Sequence, residues 1–189
     1  MDYKLWDIEF IEANKDTFVE QCHMFHKAIQ ESVDDEDTTR AYRKYNIFQV
    51  AGGSYGFYIL YKTVIQNIRE YVEDDRPLWM SGWLNFHDPS EVLDWHSHYG
   101  SLCHGYLSID PKNTTTKFEG YDIENKVGRM YLGPSYREHK VVVNEPYEGY
   151  RITLGFDVSD RTDEDSHDHL LINTKETSGH EYQYCLPVP

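Results

Sequence analysis

Apolar positions recur at helical spacing over residues 14–33. Phe18, Cys22, Phe25 and Ile29 fall on one face there, and Asn14 or Asp16 can cap the start. His23 and His26 ride on this helix with no other ligand type at metal spacing beside them, so they read as surface or packing residues. Residues 34–45, with the run Asp34-Asp35-Glu36-Asp37, are polar and predict an exposed loop. The glycines of Ala51-Gly52-Gly53-Ser54-Tyr55-Gly56 predict a turn, because the Lys-Ser/Thr ending of a phosphate loop is missing. Leu60, Val64, Ile68 and Val72 then form the stripe of a second helix over about 57–73, ended by Asp74-Asp75 and Pro77. From Leu78 the period changes to two. Trp79, Ser81, Trp83 and Asn85 share one strand face, and Met80, Leu84 and Phe86 share the other. Further strands are predicted at 102–109, 115–119, 127–132, 139–143 and 150–157, separated by turn segments such as Asp110-Pro111-Lys112-Asn113.

Two helices followed by many short strands predict a mainly β sandwich or barrel with the helices on one sheet face. The expected organisation is a single domain over 1–189. Its helical part, 1–77, packs on the sheet; the β core is 78–158; the tail is 159–189.

Composition narrows the partners. The formal net charge of -15 disfavours a broad nucleic-acid footprint, which needs Lys and Arg. No apolar run is long enough to span a membrane, and the start Met-Asp-Tyr-Lys-Leu-Trp-Asp lacks the pattern of a signal peptide. Cys22, Cys103 and Cys185 are too few and too scattered for a disulfide framework, which predicts a reducing, cytoplasmic setting.

The chemistry lies between Asp94 and Thr153. In Asp94-Trp95-His96-Ser97-His98 the two histidines are two apart, so on a strand both imidazoles point to one side, with Asp94 on that side if the strand extends back. His139, on a later strand, can be brought across a barrel as a third ligand. Three ligands on one face of an ion leave open positions for a co-substrate and oxygen. An isolated His-x-His is more often no site at all, so the rest of the pattern decides its weight. Arg151 and Thr153 share the face of another strand, and a guanidinium beside a hydroxyl makes a fork for a carboxylate. A structural salt bridge would satisfy Arg151 equally well.

Four segments in this order resemble the iron(II)- and 2-oxoglutarate-dependent oxygenases, in particular a branch, also found in phage genomes, with His-x-His where most members have His-x-Asp. They are Ser81-Gly82-Trp83-Leu84-Asn85; His96 to Gly105; Gly128 to Pro134 with His139-Lys140-Val141; and Gly149 to Phe156. The match covers roughly residues 78–158. The resemblance implies a double-stranded β-helix (jelly-roll, cupin-like) fold and a dioxygenase that hydroxylates a substrate C–H. It implies Fe(II) on His96, His98 and His139, with O2 and 2-oxoglutarate as co-substrates. Arg151, with Thr153, would hold the distal carboxylate of 2-oxoglutarate, and Asn85 and Tyr106 would line that pocket. His98 stands where most of the family carries a carboxylate. The site then works with three histidines, or Asp94 enters as a ligand or as an outer partner, or the iron is held weakly.

Two other readings stay open. The steps Gly128, Pro134, His139 also resemble the second motif of a cupin metal dioxygenase or isomerase, but the glutamate expected after His98 is Leu102 or Cys103, and Asn144 comes one place late. A non-catalytic jelly-roll binding or structural module is the other. The substrate is not legible: an amino acid, a protein side chain or a metabolite is favoured over nucleic acid. An edge strand could pair two copies into an oligomer. His104 reads as a pocket or packing residue, and His167, His169 and His180 as solvated residues of the tail.

Overall fold

A computed structural model describes residues 2–33, 37–91, 93–160 and 185–189. Asp34-Asp35-Glu36, His167, His169 and His180 lie outside the described residues. The chain is mainly β, with helices ahead of the core. Its elements are β1 Lys4–Asp7, α1 Glu9–Ala13, α2 Lys15–Val33, a 3-10 turn Arg40–Arg43, α3 Ile47–Val50, α4 Tyr55–Val72, β2 Leu78–His87, β3 Cys103–Asp110, β4 Thr114–Phe118, β5 Tyr121–Glu124, β6 Arg129–Pro134, β7 His139–Val143, β8 Arg151–Ser159 and β9 Cys185–Val188.

Two antiparallel sheets form a sandwich. The larger runs β1-β6-β3-β8-β2-β9 and the smaller β5-β4-β7. The segment around His96 adds a further rung to the small sheet, because His96 and His139 exchange both backbone hydrogen bonds at 3.0 and 2.9 Å. From β2 onward the chain therefore passes between the two sheets: β2, the His96 rung, β3, then β4 and β5, β6, β7 and β8. That is the winding of a double-stranded β-helix, the jelly-roll fold.

Strand alternation sorts the side chains of the large sheet. On β8, Ile152, Leu154, Phe156 and Val158 face the helices and are buried. Arg151, Thr153, Gly155 and Asp157 face the small sheet and line the cavity between the two. The helix side is the main core: Phe18, Cys22 and Ile29 of α2 and Phe57, Leu60, Val64 and Ile68 of α4 pack with Met80, Leu84, Leu107, Met130 and Leu132. Burial of each such side chain contributes about 1.5–3 kcal/mol.

The structure departs from the sequence expectations in four places. Helix 14–33 is preceded by α1, and Asn14 joins the two: its carbonyl accepts from the Phe18 amide at 3.1 Å, but its side chain turns back to α1, Nδ2 donating to the Phe10 carbonyl at 2.8 Å. The described part of 37–45 is not an exposed loop, since Thr38, Ala41 and Tyr45 are buried. The Thr38 hydroxyl donates to the Leu84 carbonyl at 2.9 Å, and the Leu84 amide donates to the Tyr45 hydroxyl at 2.8 Å, so the segment is stapled to β2. The first 77 residues are not wholly helical, because β1 pairs with β6. The chain end at Cys185–Val188 is a strand on β2. Short edge strands such as β1 and β9 carry too few alternating positions for periodicity to reveal them. The second helix falls where expected, as α4; Ser54 caps its start, and Glu73, just before Asp74-Asp75, ends it with φ at 60°, in the left-handed region.

Gly155 is a steric requirement of the site. A Cβ there would lie 2.5–2.7 Å from three atoms of the Trp83 indole, whose ring stacks 5.9 Å from that of His98. Gly155→Ala is expected to destabilise the fold by about 1–3 kcal/mol through overpacking, read as a lower urea midpoint at unchanged slope, and to weaken metal binding. Gly53→Ala, where a Cβ meets nothing within 4 Å, is the control expected to change neither.

Candidate metal centre

His96, His98 and His139 each offer a ring nitrogen, and these nitrogens all lie within 4.8 Å of one another. Imidazole rings 4.2–5.5 Å apart between centroids form the cluster. The two His-x-His residues do not sit on a regular strand. They lie in a loop pinned at two points, by the His96–His139 backbone pair and by the His98 amide donating to the Ser135 carbonyl at 2.9 Å. His139 opens β7, opposite Phe118 of β4.

Each of the three rings has its Nδ1 directed at an oxygen. His96 Nδ1–H donates to the Asp94 carbonyl at 2.8 Å. His98 Nδ1 stands 2.9 Å from Asp157 Oδ1. His139 Nδ1 faces the Arg137 carbonyl at a longer 3.4 Å. With Nδ1 as the donor in His96 and His139, their Nε2 lone pairs are free to bind an ion, the usual division of labour in a histidine metal site; the His98–Asp157 approach is an ion-pair distance without a hydrogen bond to Oδ1. Burial lowers the pKa of His96, and pushes that of His139 down to about 3, helped by His96 and His98. Neutral imidazole is the ligating form. Three imidazoles beside a half-enclosed carboxylate fit a first-row divalent ion such as iron, zinc or copper.

Asp94 reaches the site through its main-chain carbonyl. Its carboxylate turns back to accept from the Trp95 amide at 2.8 Å, an Asx-type local bond. The carboxylate that touches a ligand ring is Asp157, which the sequence reading did not single out. Its signal was the period-two row Arg151, Thr153, Gly155, Asp157 on β8. His104, on β3, is 2% exposed with its ring 4.6 Å from those of both His98 and His139. It lies outside the group of ligand nitrogens but lines the same cavity.

That cavity has a volume of about 520 Å³. The cluster lies on its wall, and Arg151, Thr153, Asn85 and Tyr106 line it as well. Val141 shares the wall with Arg151 and stands two residues from His139 on the same strand, a separation of about 7 Å. Asn85 Nδ2 donates to Thr153 Oγ1 at 3.1 Å, while its own Oδ1 is buried with no partner among the described residues. Ser108, opposite Thr153 across β3 and β8, is also buried with its hydroxyl unpartnered among them. Ser108 too was missed, because serine on a strand carries no signal of its own.

Arg151 is 5% exposed, and among the described residues no carboxylate lies within ion-pair distance of it. Its Nη2 donates to His87 Nδ1 at 2.6 Å. Burial lowers Arg151 to about 10, which leaves it cationic at neutral pH. Burial, with the neighbouring guanidinium, lowers His87 to about 3.

No family model matches the chain, and no curated protein does. Among solved structures it is similar to SnoN, a non-heme alpha-ketoglutarate dependent epimerase from nogalamycin biosynthesis, at 10% identity and a TM-score of 0.44 over 64% of each chain. It is also similar to KdgF from Halomonas sp., at 16% identity and a TM-score of 0.36 over 43% of this chain and 70% of that one. A third is a cupin-2 domain protein from Shewanella frigidimarina, at 20% identity and a TM-score of 0.31 over 43% and 71%. None of these activities transfers to this chain at such scores. Among the described residues no helix is long and apolar enough to cross a membrane.

His96→Ala and His139→Ala are each expected to lower the affinity for Fe(II) or Co(II) at least about tenfold, measured by equilibrium dialysis, with the fold retained by circular dichroism. Acid should destabilise the metal-free protein. Unfolded imidazoles titrate near 6.5, whereas His87 and His139 hold out to about 3 when folded. Between those values the unfolded chain binds protons that the folded chain refuses. Their contribution is therefore full above pH ~6.5 and is lost as pH falls, by up to about 1.4 kcal/mol per pH unit for each group. Urea unfolding at pH 7 and pH 5 is expected to show the loss, and His87→Asn to make the slope shallower.

Proposed function

We propose that this chain is an Fe(II)- and 2-oxoglutarate-dependent oxygenase that hydroxylates a C–H bond of a small organic substrate or an amino-acid side chain. One observation carries the reading: a buried, cationic Arg151 with no carboxylate partner among the described residues lines the same cavity as the three-histidine cluster. An uncompensated buried charge is costly, and a dicarboxylate bound in the cavity relieves it.

In this reading His96, His98 and His139 hold the iron, and Asp157 with the Asp94 carbonyl fixes two of the rings. When bound, iron and 2-oxoglutarate supply the activation of O2 for C–H oxidation. The residues of the chain do the positioning. Arg151 takes the distal carboxylate in a two-pronged hydrogen bond, and the Thr153 hydroxyl stands on the same strand face. Asn85 and Tyr106 close that end of the pocket. Trp83, Tyr42 and Leu93 supply apolar wall, which limits water and strengthens the polar contacts inside. The net charge of -15 favours a metabolite or an amino acid over nucleic acid as substrate.

A cupin-type metal dioxygenase or isomerase that uses no 2-oxoglutarate is the second reading. It shares the three-histidine ligand group and is favoured by the steps Gly128, Pro134 and His139, which resemble a cupin second motif. One titration separates the two. Anaerobic protein loaded with Fe(II) and then given 2-oxoglutarate is expected to develop the weak visible charge-transfer band of chelation. Arg151→Ala is expected to keep the iron and to lose at least about tenfold in 2-oxoglutarate affinity. Bound iron without a band would leave the cupin reading, and failure to bind metal would leave a binding module.

A further inference from the structure

Arg151 and His87 are direct cross-strand partners on β8 and β2. Buried arginines are ordinarily paired with a carboxylate, which fixes the guanidinium and cancels its charge together. Here the pairing group is an imidazole. Arg151 Nη2 donates to His87 Nδ1 at 2.6 Å, so that nitrogen carries the lone pair and the proton of the ring sits on Nε2. Nε2 faces the Thr39 hydroxyl at a longer 3.4 Å. The strand position is held as well: the Tyr147 hydroxyl donates to the His87 carbonyl at 3.2 Å. His87 is 5% exposed and Arg151 also 5%.

We propose that His87 is a positioning residue for the anion site: a neutral acceptor that fixes the Arg151 guanidinium without neutralising it. This rests on the reading of Arg151 as the carboxylate anchor. One N–H is spent on His87, and the remaining donors of the planar fork are left for the incoming carboxylate. In a buried site an uncancelled cation attracts an anion far more strongly than it does in water. The depressed titration of His87 agrees with this role, because the ring stays neutral at physiological pH and cannot repel the guanidinium. An Asp at the same place would be nearly as compact and would still accept from Arg151, yet it would fill the charge vacancy that the co-substrate is meant to fill. The chemistry selected is therefore that of a dicarboxylate, one end on the metal and one on Arg151. A 2-oxo acid without a distal carboxylate gains nothing from His87.

The test compares H87N with H87D in anaerobic, Fe(II)-loaded protein, titrated with 2-oxoglutarate and with pyruvate. Asn presents an acceptor near the Nδ1 position, and Asp adds a charge at almost the same shape. H87N is expected to bind 2-oxoglutarate within about threefold of the wild type. H87D is expected to bind it at least about tenfold more weakly, with Fe(II) affinity and pyruvate chelation unchanged. A merely structural role would not distinguish the two variants, so equal 2-oxoglutarate affinities in H87N and H87D would overturn the proposal. If H87D does not fold, H87L takes its place. It lacks the acceptor, and binding at least about threefold weaker than in H87N is expected; equal binding overturns the role. R151A separates this failure from that of the wider reading. If R151A keeps the wild-type preference for 2-oxoglutarate over pyruvate, the anchor itself is wrong, and His87 falls with it.

Discussion

The site depends on the register of β8 between β2 and β3. β8 is paired with β2 along all nine residues and with β3 from Ile152 to Val158, with Arg151 opposite His87, Thr153 opposite Asn85 and Ser108, Gly155 opposite Trp83 and Tyr106, and Asp157 opposite Ser81 and His104. The side-chain period of a strand is two, so a slip of one residue would turn this whole row toward the helices and send Ile152, Leu154, Phe156 and Val158 into the cavity. The apolar row is what forbids the slip, because its four side chains are fully or nearly fully buried against the helix layer. Packing on one face thus fixes the polar chemistry on the other. β8 carries Arg151 at the anion end and Asp157 near the His98 ring, while the three histidines stand on the opposite wall.

A weaker link holds the second wall. The His-x-His segment makes no strand, and its position relies on the two hydrogen bonds exchanged by His96 and His139 and on the His98 amide. His96 is therefore tied to His139 directly through backbone, and His98 to Ser135, four residues before His139. Fixed Nδ1 partners limit ring rotation, which reduces the entropy lost on binding.

Much of this was legible in the chain. The change of period at Leu78 and the shared face of Arg151 and Thr153 are properties of local spacing, and strand geometry converts spacing into direction; His96 and His98 come together as expected, but in a pinned loop and not on a strand. The helix stripes of α2 and α4 were equally plain. What was not legible depends on cross-strand neighbours. Asp157 joins the cavity wall, and Ser108 and His87 become neighbours of its lining residues Thr153 and Arg151, only through registers that join residues far apart in the chain. Single residues on strands carry no mark of which partner they will meet. The segment around Tyr45 was misread for a related reason. Its charges suggest solvent, but buried hydrogen bonds to Leu84 decide its place.

The balance of charges in the cavity ties these parts together. Three imidazole ligands would bring no negative charge to a divalent ion, and Arg151 adds a positive one. A cavity holding both cations is strongly electropositive locally, in a chain whose net charge is -15. Asp157 supplies the nearby carboxylate, on the far side of the His98 ring. A ligand that brings negative charge at two points would restore neutrality at both ends. The histidine group holds no carboxylate, and among the described residues none stands beside Arg151, so both ends of the cavity are short of negative charge, which matters most where the local dielectric is low.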